Sequence, residues 1–275
     1  MPHATLTDAA IAVLTAPAPD TKVALSRAAA DAWRAGRLGL RGTALPPDRP
    51  ARPPRPELLA PRHMPKRRRA GSLSGRVALL HALAHIELNA IDLAWDIVAR
   101  FATLPSGAPL PRGFYDDWVT VAAEEAEHFA LLSARLGELG AAYGDLPAHD
   151  GLWEAAQKTA HDLAARLAVV PLVLEARGLD VTPQMEESLR RAGDPDSAAL
   201  LRRIHDDEVG HVAAGRRWFE AACADAGSAP ATAWQELVAR LFKGALKRPF
   251  NQASRTRAGM PPDWYEPLAG KASAD

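Results

Sequence analysis

The chain has 275 residues, 48% of them hydrophobic, which is enough for one sizeable core with appended segments. Its 33 basic and 33 acidic residues cancel, so bulk charge gives no reason to expect nucleic acid or an anionic membrane as a general partner. The one cysteine, Cys223, excludes an internal disulfide and any cysteine-cage metal site, and it fits a reducing compartment.

Helix formers dominate, and no run of β-branched residues alternates with polar ones, so the expected fold is all-α. Two short helices are predicted over about 5–15 and 19–37. The stretch "LPPDRPARPPRPELLAPRHMPKRRR", residues 45–69, is too rich in proline for helix and reads as an extended, partly polyproline segment that wraps the core. Long helices follow over about 73–103, 114–139 and 151–177, the last ending near Gly178. A short helix over about 182–192 comes after "GLDVTP". The next long helix opens at Asp194, a natural N-cap with Pro195 in the first turn, and runs to about Ala226. One more amphipathic helix, about 229–243, precedes a loose tail. Lengths of about 25–30 residues suit a four-helix bundle. The expected organisation is an N-terminal part, 1–71, a four-helix domain, 72–226, and a C-terminal helix and tail, 227–275. No apolar run approaches the roughly 20 residues that span a bilayer. The N-terminus lacks the basic start of a signal peptide. The expected location is the cytoplasm, with no membrane partner.

Two of the nine histidines carry a glutamate three residues earlier: Glu125/His128 and Glu208/His211. Residues three apart share a helix face, so each pair can present a carboxylate and an imidazole to one point. The other two long helices each offer a glutamate in apolar surroundings. Glu87 shares a stripe with Leu80, Leu83, Ala84, Ala90, Ile91 and Ala94, and Glu175 follows Val170–Leu174. A carboxylate on a core-facing stripe is costly unless paired or metal-bound. Taken alone, either Glu-x-x-His pair fits a solvated face, and Glu87 or Glu175 fits a buried ion pair, with Arg177 or Arg166 as the partner. Taken together, Glu87, Glu125, His128, Glu175, Glu208 and His211 match the dimetal carboxylate pattern of one glutamate from each of two helices and Glu-x-x-His from the other two. Carboxylates with two imidazoles suit iron or manganese.

Several neighbours compete for roles. Glu124 flanks the inward stripe of Val121, Ala122 and Leu132 as a spare carboxylate, a hydrogen-bond acceptor behind a ligand or an alternative ligand, while Glu127 points to water. His81 and His85 read as groups behind the ligands or at the surface, with Asp92 on the same polar stripe. His205 reads as a group that orients a ligand or as a solvated one, and Asp206 and Asp207 as solvated. Pro171 should kink its helix one turn before Glu175, either for packing or to open space beside the metals.

With "EEAEHF" and "LEAR" followed by a second Glu-x-x-His, residues 73–225 resemble the ferritin-like dimetal carboxylate superfamily. Within it the chain looks like the bacterial tRNA hydroxylase family that oxygenates an isopentenyl side chain on a modified adenosine. It is more similar to an uncharacterised bacterial ferritin-like family, through "HALAHIELNAIDLAWD" and "VVPLVLEARGLDVTP". The resemblance implies two iron ions held by the six named residues, with manganese as the alternative metal, and an oxygen-activating oxidoreductase that attacks a C–H bond. Partners would be O2, an external electron donor (no flavin or nicotinamide motif is present) and a small-molecule or RNA substrate. DNA is not expected, and a homodimer is compatible. Rival readings are a ferroxidase or iron-handling protein, a dimanganese catalase-like or structural site, and an RNA-binding helical protein using the basic run 62–69.

Overall fold

The computed structural model describes residues 4–64, 71–243 and 245–270. Its α-helices in chain order are α1 (Leu6–Thr15), α2 (Pro19–Arg34), α3 (Leu73–Arg100), α4 (Arg112–Glu138), α5 (Gly151–Lys158), α6 (Leu163–Val169), α7 (Ala176–Arg191), α8 (Pro195–Asp225), α9 (Pro230–Leu241), α10 (Gln252–Arg257) and α11 (Pro262–Tyr265). A π-helical segment, Val170–Glu175, joins α6 to α7. Among the described residues there is no strand, only isolated bridges, so the protein is all-α.

Helix starts follow local capping chemistry. The Ser72 hydroxyl accepts from the Gly75 amide at 3.1 Å and opens α3, and Asp194 accepts from the Ser197 amide at 3.0 Å and opens α8 as its position before Pro195 requires. The expected helix over 151–177 is instead broken. Asp162 caps α6 by accepting from the Ala165 amide at 3.0 Å. The buried Arg166 guanidinium donates to the Ala156 carbonyl at 2.7 Å and the Thr159 hydroxyl at 2.9 Å, so it satisfies the end of α5 from the next helix. Gly178 does not end a helix either. With Ala176 and Leu179 fully buried, packing carries α7 through Gly178 and past Pro183, and the short helix expected at 182–192 is its second half.

The chain divides into two compact units. The first comprises Met1–Ala102, Leu110–Glu154 and Ser188–Leu200. Here α3 and α4 pack along each other, α1 lies on α3 and α2 on α4. Trp95, Trp118, Phe114, Tyr115 and Phe129 fill the interface, each contributing about 1.5–3 kcal/mol or more by burial. Trp95 Nε1 donates to the Ser26 hydroxyl at 2.8 Å, which donates to the Ala122 carbonyl at 3.0 Å, tying α2, α3 and α4 together one turn before Glu125. Asp92, fully buried on α3, takes Lys22 Nζ at 2.6 Å on one oxygen and Arg52 Nη1 at 2.7 Å on the other. The Pro/Arg-rich segment does wrap this unit. Besides Arg52, the Pro47 carbonyl accepts from Arg100, the Asp48 carbonyl from Trp153, and the Leu59 amide donates to the Ala148 carbonyl. The basic run expected at 62–69 lies outside the described residues beyond Met64. By length and composition α3 could cross a membrane, but 67% of its most apolar window is buried in the protein, and Glu87, Asp92 and Asp96 are buried on it.

The second unit comprises Thr103–Pro109, Ala155–Glu187 and Leu201–Asp275. In it α9 packs on α6 and on α11. Trp234 Nε1 donates to the Ala168 carbonyl at 3.1 Å, and the Trp264 ring lies against Trp234 and Phe219. The C-terminal segment is therefore not a loose tail. The buried Arg255 of α10 makes a two-pronged ion pair with Asp180 of α7, 2.8 Å on each side, and its guanidinium covers the Tyr265 ring.

Candidate metal centre

The first unit brings three of the predicted ligands together. Glu87 comes from α3, and Glu125 and His128 from one face of α4. All three are buried, and each offers a ligand atom within 4.8 Å of the others. His128 Nδ1 stands 3.5 Å from Glu125 Oε2 and 3.6 Å from Glu87 Oε2. Charge-assisted N–H···O bonds run at about 2.7–2.9 Å, so both separations are too long for ordinary ion-pair hydrogen bonds. Glu87 Oε2 is buried with no hydrogen-bond partner. Burial, then the charge of Glu125, lifts the Glu87 carboxyl well above the usual carboxylate range. Burial works to lower the His128 imidazole, but the Glu125 and Glu87 carboxylates beside it hold it at about 11.

The second unit repeats half of this arrangement. Glu208 and His211 lie on one face of α8, both buried, with His211 Nδ1 3.5 Å from Glu208 Oε2. Glu208 Oε2 is again buried without a hydrogen-bond partner. Glu175 is the last residue of the π segment. Its Oε2 is buried although the residue as a whole is only half-buried. The Ala176 amide bonds back to the Pro171 carbonyl, the five-residue step of a π turn. The expected proline kink is thus a locally widened helix. Glu87, Glu125, His128 and, from the second unit, Glu208 are buried groups of the kind that could hold a metal ion.

Other candidates fall elsewhere. Glu124 and Glu127 are both half-buried. Asp92 belongs to the Lys22–Arg52 ion cluster. His205 faces the Ser254 hydroxyl at 3.2 Å, and Arg177 donates to the Lys247 carbonyl at 2.7 Å. Asp206 is exposed and Asp207 half-buried.

His81 and His85 are neither surface groups nor part of the Glu87 trio. Both are buried and stack on Tyr143, a residue that carried no signal in the sequence because it sits in the loop after α4. His81 Nε2 accepts from the Gly144 amide at 2.9 Å. His85 Nε2 lies 3.1 Å from both the His149 carbonyl and Asn89 Nδ2, and His85 Nδ1 pairs with the Tyr143 hydroxyl at 2.9 Å. Burial, with the Arg52 charge nearby, pulls the His85 imidazole down to about 4, and burial also lowers His81. Tyr143→Phe leaves the buried His85 Nδ1 without its hydroxyl partner. It is expected to cost about 1–2 kcal/mol in urea denaturation, and an unchanged midpoint would show that the hydroxyl is not holding this imidazole.

The family model "Protein of unknown function (DUF455)" matches residues 15–266. The chain belongs to the DUF455 family. An uncharacterized protein of Haemophilus influenzae strain Rd is 42% identical over 214 residues, covering 76% of this chain and 72% of the relative. No solved structure matches the chain. The DUF455 match includes all six predicted ligands, the π segment and the whole Pro/Arg-rich stretch, 45–69.

Proposed function

We propose that this DUF455 protein is a ferritin-like di-iron protein that uses O2 to oxidise an organic substrate. The observation that carries the reading is a repeat: each unit holds a buried imidazole Nδ1 3.5 Å from the Oε2 of the glutamate three residues earlier. Donors that share one metal, each about 2.0–2.2 Å from it, stand roughly 3–3.5 Å apart. The separations of 3.5 and 3.6 Å around His128 fit that spacing better than a hydrogen bond. Glu87, Glu125 and His128 would hold metal from the first unit, and Glu175, Glu208 and His211 from the second. The four carboxylates balance two divalent ions, which gives the buried acids a reason to be there.

Bound iron would supply electrons and Lewis acidity for oxygen chemistry. The protein's own part is to fix the donors and keep the site dry. Leu80, Ala84, Ile91, Val121 and Ala122, all buried around the first-unit ligands, exclude water from them. An external electron donor completes the reaction. The substrate is an organic molecule with an oxidisable C–H bond, a modified tRNA nucleoside being one candidate.

Protein produced in iron- or manganese-supplemented medium is expected to carry about two ions per chain. Fewer than one would overturn the reading. Single-turnover O2 consumption by ferrous-loaded protein separates oxygen chemistry from a dimanganese or structural site. Consumption without any substrate oxidised would favour iron handling, and an unchanged nucleoside profile in a deletion strain would remove the RNA substrate.

A further inference from the structure

We infer that Gly215 is a positioning residue for the second-unit ligands: it lets the rigid ring of Pro171 seat against α8 and thereby sets where Glu175 stands relative to Glu208 and His211. The inference rests on the dimetal reading and concerns one contact inside the second unit. A Cβ built on Gly215 would lie 2.5 Å from Pro171 Cβ and 2.6 Å from its Cγ, separations that real Cβ atoms do not show. A proline ring cannot swing aside as a long side chain can.

Spacing gives this contact its consequence. Gly215 lies one turn beyond His211 and two turns beyond Glu208, on the α8 face that carries both. Pro171 is the second residue of the π segment, and Glu175 ends it four residues later. The Pro171 carbonyl also accepts the π bond from the Ala176 amide, directly after Glu175. The segment that delivers Glu175 is therefore seated, at its proline, on the same helix face as the two ligands Glu175 would join. A methyl at position 215 has to push the segment away by about 1 Å, and ligand constellations tolerate only about 0.5 Å.

The test compares metal binding by full-length wild type, Gly215→Ala, Gly215→Ala/Pro171→Gly and Gly210→Ala. Gly210 is on the same helix, and a Cβ there meets nothing within 4 Å. Readouts are Co(II) titration followed by visible absorption, ions per chain, and circular dichroism for folding. Gly215→Ala is expected to keep its helix signal, bind Co(II) about 10–100-fold more weakly and show altered ligand-field bands. Gly210→Ala should bind like wild type with a raised melting temperature, since alanine replaces glycine in a helix. The double variant, which removes both overlapping ring atoms, should recover most of the affinity.

A folded Gly215→Ala that binds two ions with wild-type affinity and spectrum overturns the inference and leaves the dimetal reading intact. Wild type that binds less than one ion overturns the reading and the inference with it. Should Gly215→Ala not fold, the double variant is read in its place. A folded double variant with near wild-type affinity supports the inference, and a folded one that binds about 10–100-fold more weakly overturns it.

Discussion

Glu125→Gln is expected to drop bound metal from about two ions per chain to fewer than one, while raising the melting temperature of the metal-free protein. Glutamine keeps the volume and removes the charge, so no cavity complicates the outcome. In the metal-free protein two buried carboxylates, Glu87 and Glu125, face one imidazole. One imidazolium needs only one carboxylate. The surplus is felt at Glu87, whose carboxyl is lifted by burial and then by the Glu125 charge. Removing Glu125's charge should relieve about 1 kcal/mol, or about 2–4 °C for a chain of this size class. Metal reverses the order. A ligand at a thousandfold excess over its Kd stabilises the folded state by about 4 kcal/mol, and only wild type can collect it. Thermal melts with chelator and with Fe(II) should therefore cross, the variant more stable in the first and wild type in the second. A variant less stable than wild type in both would make Glu125 an ordinary structural acid.

Asp92→Asn is expected to be the most destabilising single change in the first unit, by about 3–5 kcal/mol. Asp92 is fully buried and pairs with Lys22, itself fully buried, and with the partly buried Arg52. Burial pulls Lys22 down and Asp92 up, and each holds the other charged. Without the aspartate charge, Lys22 Nζ keeps the Val13 carbonyl at 2.9 Å but loses its counter-ion. The reciprocal change is asymmetric. Lys22→Met leaves Asp92 paired with Arg52 at 2.7 Å and places an unbranched apolar chain where the lysine stem was, so its cost should be about 1–2 kcal/mol. Urea midpoints for the two variants decide the matter, and equal costs would mean that Arg52 contributes nothing to holding Asp92.

The two Glu-x-x-His pairs and Glu87 were legible because a long helix converts spacing directly into a shared face. The capped starts of α3 and α8 were legible because Ser72 and Asp194 act on amides only a few residues away. The helix expected over 151–177 was misread for the opposite reason. Gly178 is a weak breaker, and buried Ala176 and Leu179 outweigh it. The break at 159–162 depends on Arg166 reaching back to the end of α5, which no local propensity announces.

His81 and His85 show the same limit. Their spacing marks a polar stripe on α3, but whether it meets water, metal or protein depends on Tyr143 and the His149 carbonyl, about sixty residues away in the chain. The tail was misread because its ordering comes from Asp180 gripping Arg255. By itself, then, the sequence determined the all-α class, the long helices α3, α4 and α8 and the shared faces of the Glu-x-x-His pairs on α4 and α8, since these follow from interactions within a few residues. Only the tertiary structure decided the π turn that carries Glu175, the seat of Pro171 on Gly215 and the burial of the His81–His85–Tyr143 cluster. Each of these is a choice between locally similar alternatives, made by side chains that meet only when distant segments pack.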